Sequence, residues 1–117
     1  MLTQKVGRWG EDEAEKYLKN LGYKILEHNY HSRFGEIDLI ALDNKVIVFV
    51  EVKARSTPFF GLGAEAVGKQ KISRMVKTAM FYLSETKKEN DEYRLDVVEL
   101  TLTPAGLSIH HDKSVTS

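Results

Sequence analysis

The stretch "GEIDLIALDNKVIVFVEVKAR", residues Gly35 to Arg55, reads as two apolar strands joined by a short turn, yet Glu36, Asp38, Glu51 and Lys53 interrupt it. Side chains alternate along a strand, so Glu36, Asp38 and Ile40 are expected on one face of the first strand, and Ile37, Leu39 and Ala41 on the other. In the second strand Ile47, Phe49, Glu51 and Lys53 alternate with Val46, Val48, Val50 and Val52, the pattern of a strand covered on both faces. Asp43 and Asn44 supply turn chemistry between the two. A two-residue loop there pairs Leu42 with Lys45 and sets Glu36 opposite Glu51, with Asp38 diagonal to it at roughly 7 to 8 Å. A four-residue loop pairs Leu42 with Ile47 and sets Asp38 opposite Glu51. Either register is expected to gather Glu36, Asp38, Glu51 and Lys53 on one face.

Around this hairpin the rest of the chain supplies helices and further strands. Gly10, Ala14, Tyr17, Leu18 and Leu21 form one helical stripe between about Arg8 and Leu21, and Gly22 is its stop signal. "YKILEHNY" alternates as a strand. After the loop "STPFFGLG", a second helix from about Ala64 to Lys88 carries Ile72, Met75, Val76, Ala79 and Leu83 at three- and four-residue intervals. "YRLDVVELTL" and "LSIHH", joined by the turn "TPAG", read as two closing strands. The order is αβββαββ, an α/β chain read as one domain over residues 1–113, with a tail at 114–117 that is expected to fray.

At 117 residues, 42% apolar and 29% charged, the composition is that of a globular domain. The longest aliphatic and aromatic run, Val46 to Val50, falls far short of the ~20 residues of a membrane span, so no membrane is expected. The N-terminal "MLTQKVGRWGEDEAEK" lacks the apolar core of a signal peptide, and there is no cysteine for a disulfide or thiolate metal site, so a cytoplasmic location is expected. Lys plus Arg and Asp plus Glu balance at 17 each, but unevenly. Lys53, Arg55, Lys69, Lys71, Arg74 and Lys77 stand against Glu65 alone, a net of +5 (6 − 1), and no acid lies between Ala66 and Ser84. Lys71, Arg74 and Lys77 recur every three residues away from the apolar stripe of the second helix. With Arg55 and Lys69 they are the candidate phosphate contacts, the alternative being a solvated helix face.

Carboxylates crowded into a partly buried sheet repel, and each costs several kcal/mol to desolvate unless something positive compensates. An ion pair with Lys53 is the structural explanation, but one lysine cannot neutralise three acids. A divalent metal answers better. Asp38, Glu51 and the backbone carbonyl of Val52 offer hard oxygen ligands to Mg2+ or Mn2+, while Lys53 is placed to hydrogen-bond an attacking water and offset phosphate charge.

Asp38, followed after twelve residues by Glu51-Val52-Lys53, resembles the PD-(D/E)xK active site of the restriction-endonuclease-like nucleases. Nearly the whole chain, through "GRWGEDEAEKYLKNLGY", "GEIDLIA", "VFVEVKAR" and the second helix, resembles the bacterial YraN family, which is similar to archaeal Holliday-junction resolvases. The resemblance implies a restriction-endonuclease-like fold, a mixed central sheet flanked by the two helices, and DNA as the nucleic-acid partner. It also implies that Glu11 completes the metal site, by its spacing to Leu18 and Gly22, and that Gln70 stands beside the lysine as a catalytic polar group. A homodimer is expected on the same resemblance, with Phe59 and Phe60 as the candidate contact. One departure is plain: Ile37, where the motif has proline, precedes Asp38.

The residues themselves leave several assignments open. Glu11 is equally explained as a first-turn carboxylate favoured by the helix dipole, Gln70 as a surface residue, and Glu36 as a solvated acid. Asp96 reads as a structural partner, Trp9 as core, and His28, His110 and His111 as satisfied or exposed side chains. The function expected is metal-dependent hydrolysis of phosphodiesters in DNA, in branched or repair-associated substrates. The rivals are a DNA-binding or adaptor domain that kept the fold without turnover, and a structural protein with a buried ion pair.

Overall fold

A computed structural model describes residues 2–55 and 68–115, with side chains from Arg8 onward in the first segment. The segment that contains Phe59 and Phe60, and with it the expected dimer contact and residues 64–67, where the second helix is expected to begin, lies outside the described residues.

Among the described residues two helices and five strands follow in the order α1 (Leu2–Asn20), β1 (Lys24–Ser32), β2 (Gly35–Asp43), β3 (Val46–Arg55), α2 (Lys69–Glu85), β4 (Tyr93–Thr103) and β5 (Gly106–Asp112). This is the expected αβββαββ order on a mixed α/β architecture. The strands form one sheet in chain order; β3 and β4 run parallel and every other neighbouring pair antiparallel. The parallel pair needs a long crossover, and α2 lies within it.

Each helix covers one face. Ala14 and Leu18 of α1 pack with Leu39, Ala41, Val48, Val50, Val98 and Leu100. Ile72, Met75, Ala79, Tyr82 and Leu83 of α2 pack with Ile40, Ile47, Phe49, Leu95 and Val97. The continuous Val/Ile run of β3 follows from this double cover, each fully buried aliphatic contributing roughly 1.5–3 kcal/mol over its exposed state. Trp9 packs against the α1-side cluster, as core.

Helix α1 stops at Gly22, whose φ of +93° is left-handed. The Gly22 amide donates to the Lys19 carbonyl (2.9 Å) and the Tyr23 amide to the Leu18 carbonyl (3.0 Å), the two bonds of a Schellman ending. Further up the same helix, Gly10 lies flat against β3. A Cβ at this position would overlap that of Ala54, whose backbone stands directly behind it. Gly10→Ala is therefore expected to cost about 1–3 kcal/mol by overpacking, more than the ~1 kcal/mol alanine brings to a helix. Ala54→Gly in the same chain should restore much of the loss. A thermal-unfolding double-mutant cycle without coupling between the two sites would contradict this close approach.

Three expectations change. The hairpin turns at Asn44 and Lys45, with Asp43 paired to Val46 and Leu42 to Ile47, so the register that sets Asp38 across from Glu51 holds and the Leu42–Lys45 pairing does not. The strict alternation of β2 fails at Asp38, for Ile37 packs with Ile40 on the α2 side while Leu39 and Ala41 face α1. Of the tail expected to fray over 114–117, Ser114 and Val115 are hydrogen-bonded, the Ser114 amide to Asp96 Oδ1 (3.1 Å) and the Val115 amide to the Leu95 carbonyl (2.7 Å), while residues 116 and 117 lie outside the described residues.

Candidate functional site

The break in alternation has a cause on the neighbouring strand. Asn29 has a φ of +49°, a left-handed conformation that asparagine tolerates better than most residues. The pairs on either side, His28 with Leu39 and Tyr30 with Ile37, set Asn29 across from Asp38. Both strands change face there together. His28 Nε2 reaches Glu15 of α1 (2.7 Å), whereas the Tyr30 ring meets Tyr82 of α2 edge-on at 5.1 Å.

Asp38 also marks a fork in the sheet. β2 and β3 are paired from Asp43/Val46 to Leu39/Val50 and no further, while β2 continues beside β1 and β3 beside β4. Beyond the fork the Val52 amide would lack a ladder partner, and Asp38 Oδ2 accepts its hydrogen bond at 2.8 Å. Glu51, at the same level of β3, is only 4% exposed. Burial first, and then the neighbouring Asp38 charge, pushes its carboxyl up to about 7, against the pull of Lys71 and Lys53. Asp38 is raised as well, chiefly by burial, with the Val52 amide holding it down.

Two ammonium groups converge on Glu51 Oε2: Lys53 Nζ at 3.8 Å, from two residues along β3, and Lys71 Nζ at 3.5 Å, from α2. Glu11 belongs to the same electrostatic neighbourhood. Its carboxyl is raised by burial and then by Asp38, while the Asn29 side chain favours its charged form. Glu36 turns to solvent and pairs with His31 Nε2 at 2.7 Å, because the strand changes face between it and Ile40, while its charge still raises the Asp38 and Glu11 carboxyls.

The remaining candidates are more dispersed. Gln70, Lys69, Arg74 and Lys77 are exposed on α2. Arg55 Nη2 stands 3.8 Å from Glu99 Oε2, a buried oxygen with no hydrogen-bond partner among the described residues. Glu99 is the β4 neighbour of Lys53, so this pair extends the charged surface one strand outward. Asn29, Glu99 and the reach of Lys71 into the site were missed in the sequence. An asparagine inside a strand pattern was the available signal for the first; the other two depend on how β4 and α2 dock.

The donor set suits a hard divalent cation. Two carboxylates, both raised chiefly by burial, stand beside the Val52 backbone and supply oxygen ligands of the kind Mg2+ and Mn2+ prefer. Among the described residues no group of three or more His, Asp or Glu side chains is arranged to hold a metal. Such an ion would therefore need oxygens from water or substrate as well.

A second polar cluster lies on the α1 side and is satisfied throughout. Asp96, fully buried, accepts from Arg94 Nε (3.0 Å), His111 Nε2 (2.7 Å) and the Ser114 amide. Arg94 also donates to the Tyr23 hydroxyl (2.7 Å) and pairs with Asp43 (3.1 Å), while His111 Nδ1 shares a hydrogen bond with the Tyr17 hydroxyl (3.0 Å). Asp96 is thus a structural partner. His28 and His110 are exposed and paired with Glu15 and Asp112.

The fold and site define a mixed α/β protein with an acid–acid–lysine cluster at a strand fork. Residues 10–100 match the family described as "Uncharacterised protein family UPF0102". The chain is 50% identical over 98 residues to a UPF0102 protein of Sulfurihydrogenibium sp., covering 84% of each. With a UPF0102 protein of Syntrophus aciditrophicus it shares 47% identity over 110 residues, 92% of this chain and 87% of that one. A UPF0102 protein of Alkaliphilus oremlandii is 43% identical over 112 residues, 94% and 96% of the two chains. The protein belongs to the UPF0102 family, the YraN-like family its sequence resembles.

Proposed function

We propose that this protein is a Mg2+- or Mn2+-dependent endonuclease that hydrolyses phosphodiester bonds in DNA, on a restriction-endonuclease-like fold of the PD-(D/E)xK superfamily. The observation that carries this is the fork: the Asp38 and Glu51 side chains meet just beyond the last β2–β3 pair, with Lys53 Nζ 3.8 Å from Glu51 Oε2. Asp38, Glu51 and the Val52 carbonyl would hold the ion. When bound, it supplies positive charge to phosphoryl oxygens and acidity to a water. Lys53 Nζ orients the attacking water by hydrogen bonding and offsets charge developing on the phosphate. Glu11, steadied by Asn29, adds a carboxylate toward Asp38. Arg55, Lys69, Arg74 and Lys77 contact the phosphate backbone. The substrate class is branched or repair-associated DNA in the cytoplasm, met by a homodimer that offers one site to each strand. No helix among the described residues is long and apolar enough to cross a membrane.

The test is incubation of the purified protein with linear and branched DNA, with and without Mg2+ or Mn2+, beside Asp38→Asn and Glu51→Gln. Asparagine is preferred to alanine because its amide oxygen can still accept from the Val52 amide. Cleavage is expected only with metal and only in the parent, and each substitution should weaken Mn2+ binding by at least about tenfold, a neutral amide being a poor ligand for a hard cation. Undiminished Mn2+ affinity in both variants would remove the site.

A domain that binds DNA without cutting it is the second reading, favoured by the two lysines that already neutralise Glu51. It predicts DNA binding that is indifferent to metal and no product with any substrate.

A further inference from the structure

Glu51 draws its two cations from different sources. Lys53 is anchored two residues away on the same strand, where its neighbour on β4 is Glu99. Lys71 arrives from another element on a flexible four-carbon stem, is 38% exposed, and still comes nearer to the same oxygen, 3.5 Å against 3.8 Å. Its position is unfavourable for the helix that bears it. The first turn of α2 holds no acid and begins at Lys69, with Gly68 giving no side-chain cap, so Lys69 and Lys71 stand at the positive end of the helix dipole. Lys69 is left in solvent, whereas Lys71 turns inward beside the buried Ile72. A lysine kept against the dipole and directed onto a buried carboxylate is set apart from Arg74 and Lys77, which remain exposed further along the same helix.

We infer that Lys71 is the resident counter-cation of the site: its ammonium holds Glu51 Oε2 in the cation-free protein and yields that position to an entering divalent ion. This rests on the divalent-cation role proposed above for Asp38 and Glu51. Lys71 can yield because its stem needs only to swing into water. Lys53, fixed to the strand that carries Glu51, stays at the site. Lysine and ion compete for one oxygen, so the protein binds the ion more weakly than its carboxylates alone would allow, and Lys71 is a positioning residue rather than a member of a backbone-tracking stripe.

The test is calorimetric titration of Mn2+ into the full chain, comparing the parent with Lys71→Met, Lys71→Gln and Lys77→Met. Removing the competitor should tighten Mn2+ binding roughly three- to fivefold in both Lys71 variants, the upper end for a partly exposed ion pair. Lys77→Met, which removes the same charge from an exposed position on the same helix, should stay within about twofold of the parent because solvent and salt screen it. If the parent binds Mn2+ and the Lys71 variants bind it equally or less well, Lys71 is no competitor and the cation site stands without it. Equal tightening by Lys77→Met would reduce the effect to general charge and likewise overturn the inference. Failure of every protein, parent included, to bind Mn2+ overturns the cation site and the inference together.

Discussion

Lys53→Ala is expected to lower DNA cleavage by roughly a hundred- to a thousandfold while leaving Mn2+ and DNA binding in place, the loss typical of removing one preorganised donor to a charge that develops in the transition state. Lys53 is one-third exposed and shares Glu51 with Lys71, so the substitution leaves the carboxylate with a cationic partner and the fold intact. Single-turnover cleavage under saturating metal isolates the chemical step, and calorimetry on the same preparation reports binding. Equal rates in variant and parent would take Lys53 out of the mechanism. A rate loss explained wholly by weaker Mn2+ binding would make it a support for the carboxylates instead.

A different kind of loss is expected from Asp96→Ala, on the opposite face of the sheet. Asp96 is 0% exposed and receives Arg94 Nε, His111 Nε2 and the Ser114 amide, so its removal leaves three buried donors without their acceptor, although Asp43 and Tyr23 still hold the other nitrogens of Arg94 and Tyr17 the other nitrogen of His111. Removing one partner of a buried charge pair costs about 3–5 kcal/mol, which approaches the whole stability of a small domain. The urea midpoint should fall accordingly, with an unchanged slope if the unfolded state is unaffected. The difference between parent and variant should also depend on pH. Burial alone would raise the Asp96 carboxyl, but the hydrogen bonds from His111, Ser114 and Arg94 outweigh it and bring it below its ordinary 3.8. A depressed carboxyl contributes stability that is fully present above the unfolded value and is lost as pH falls through the folded one. The advantage of the parent should therefore hold at neutral pH and shrink below about pH 4. A midpoint within experimental error of the parent would show the network to be dispensable.

Both faces differ in how far their residues could be foreseen. The hairpin was legible because its information is local: period-two alternation, Val-rich strands and an Asn-containing turn fall within one continuous stretch, but the sequence left two registers open, and only the one that pairs Leu42 with Ile47 brings Asp38 to the level of Glu51. The change of face at Asn29 and Asp38 was not, since alternation assumes an unbroken pleat and a left-handed asparagine is selected by its tertiary surroundings. Glu36 was misplaced for the same reason. The reach of Lys71 depends on how α2 docks. Helical periodicity assigns Lys71, Arg74 and Lys77 to one polar side, but cannot say which of them lies over the fork. The Asp96 cluster joins residues as far apart as Tyr17 and His111, 94 positions along the chain, and no short-range pattern encodes it.

The connectivity of the sheet has a kinetic consequence. Strands β1, β2 and β3 are joined by the two tight turns at Arg33–Phe34 and Asn44–Lys45, whereas β3 meets β4 only after the chain between Arg55 and Tyr93 has closed. Closing that long segment costs more entropy than forming either hairpin. During refolding, amides of the β1–β3 meander are expected to gain protection from exchange before those of β4 and β5. Asp38, Glu51 and Lys53 all belong to the early unit, while Lys71 and Glu99 arrive with the late one. The carboxylate pair would thus spend the interval before docking exposed to solvent, its repulsion relieved by water and by Lys53, and would meet its second ammonium only as the interior closes.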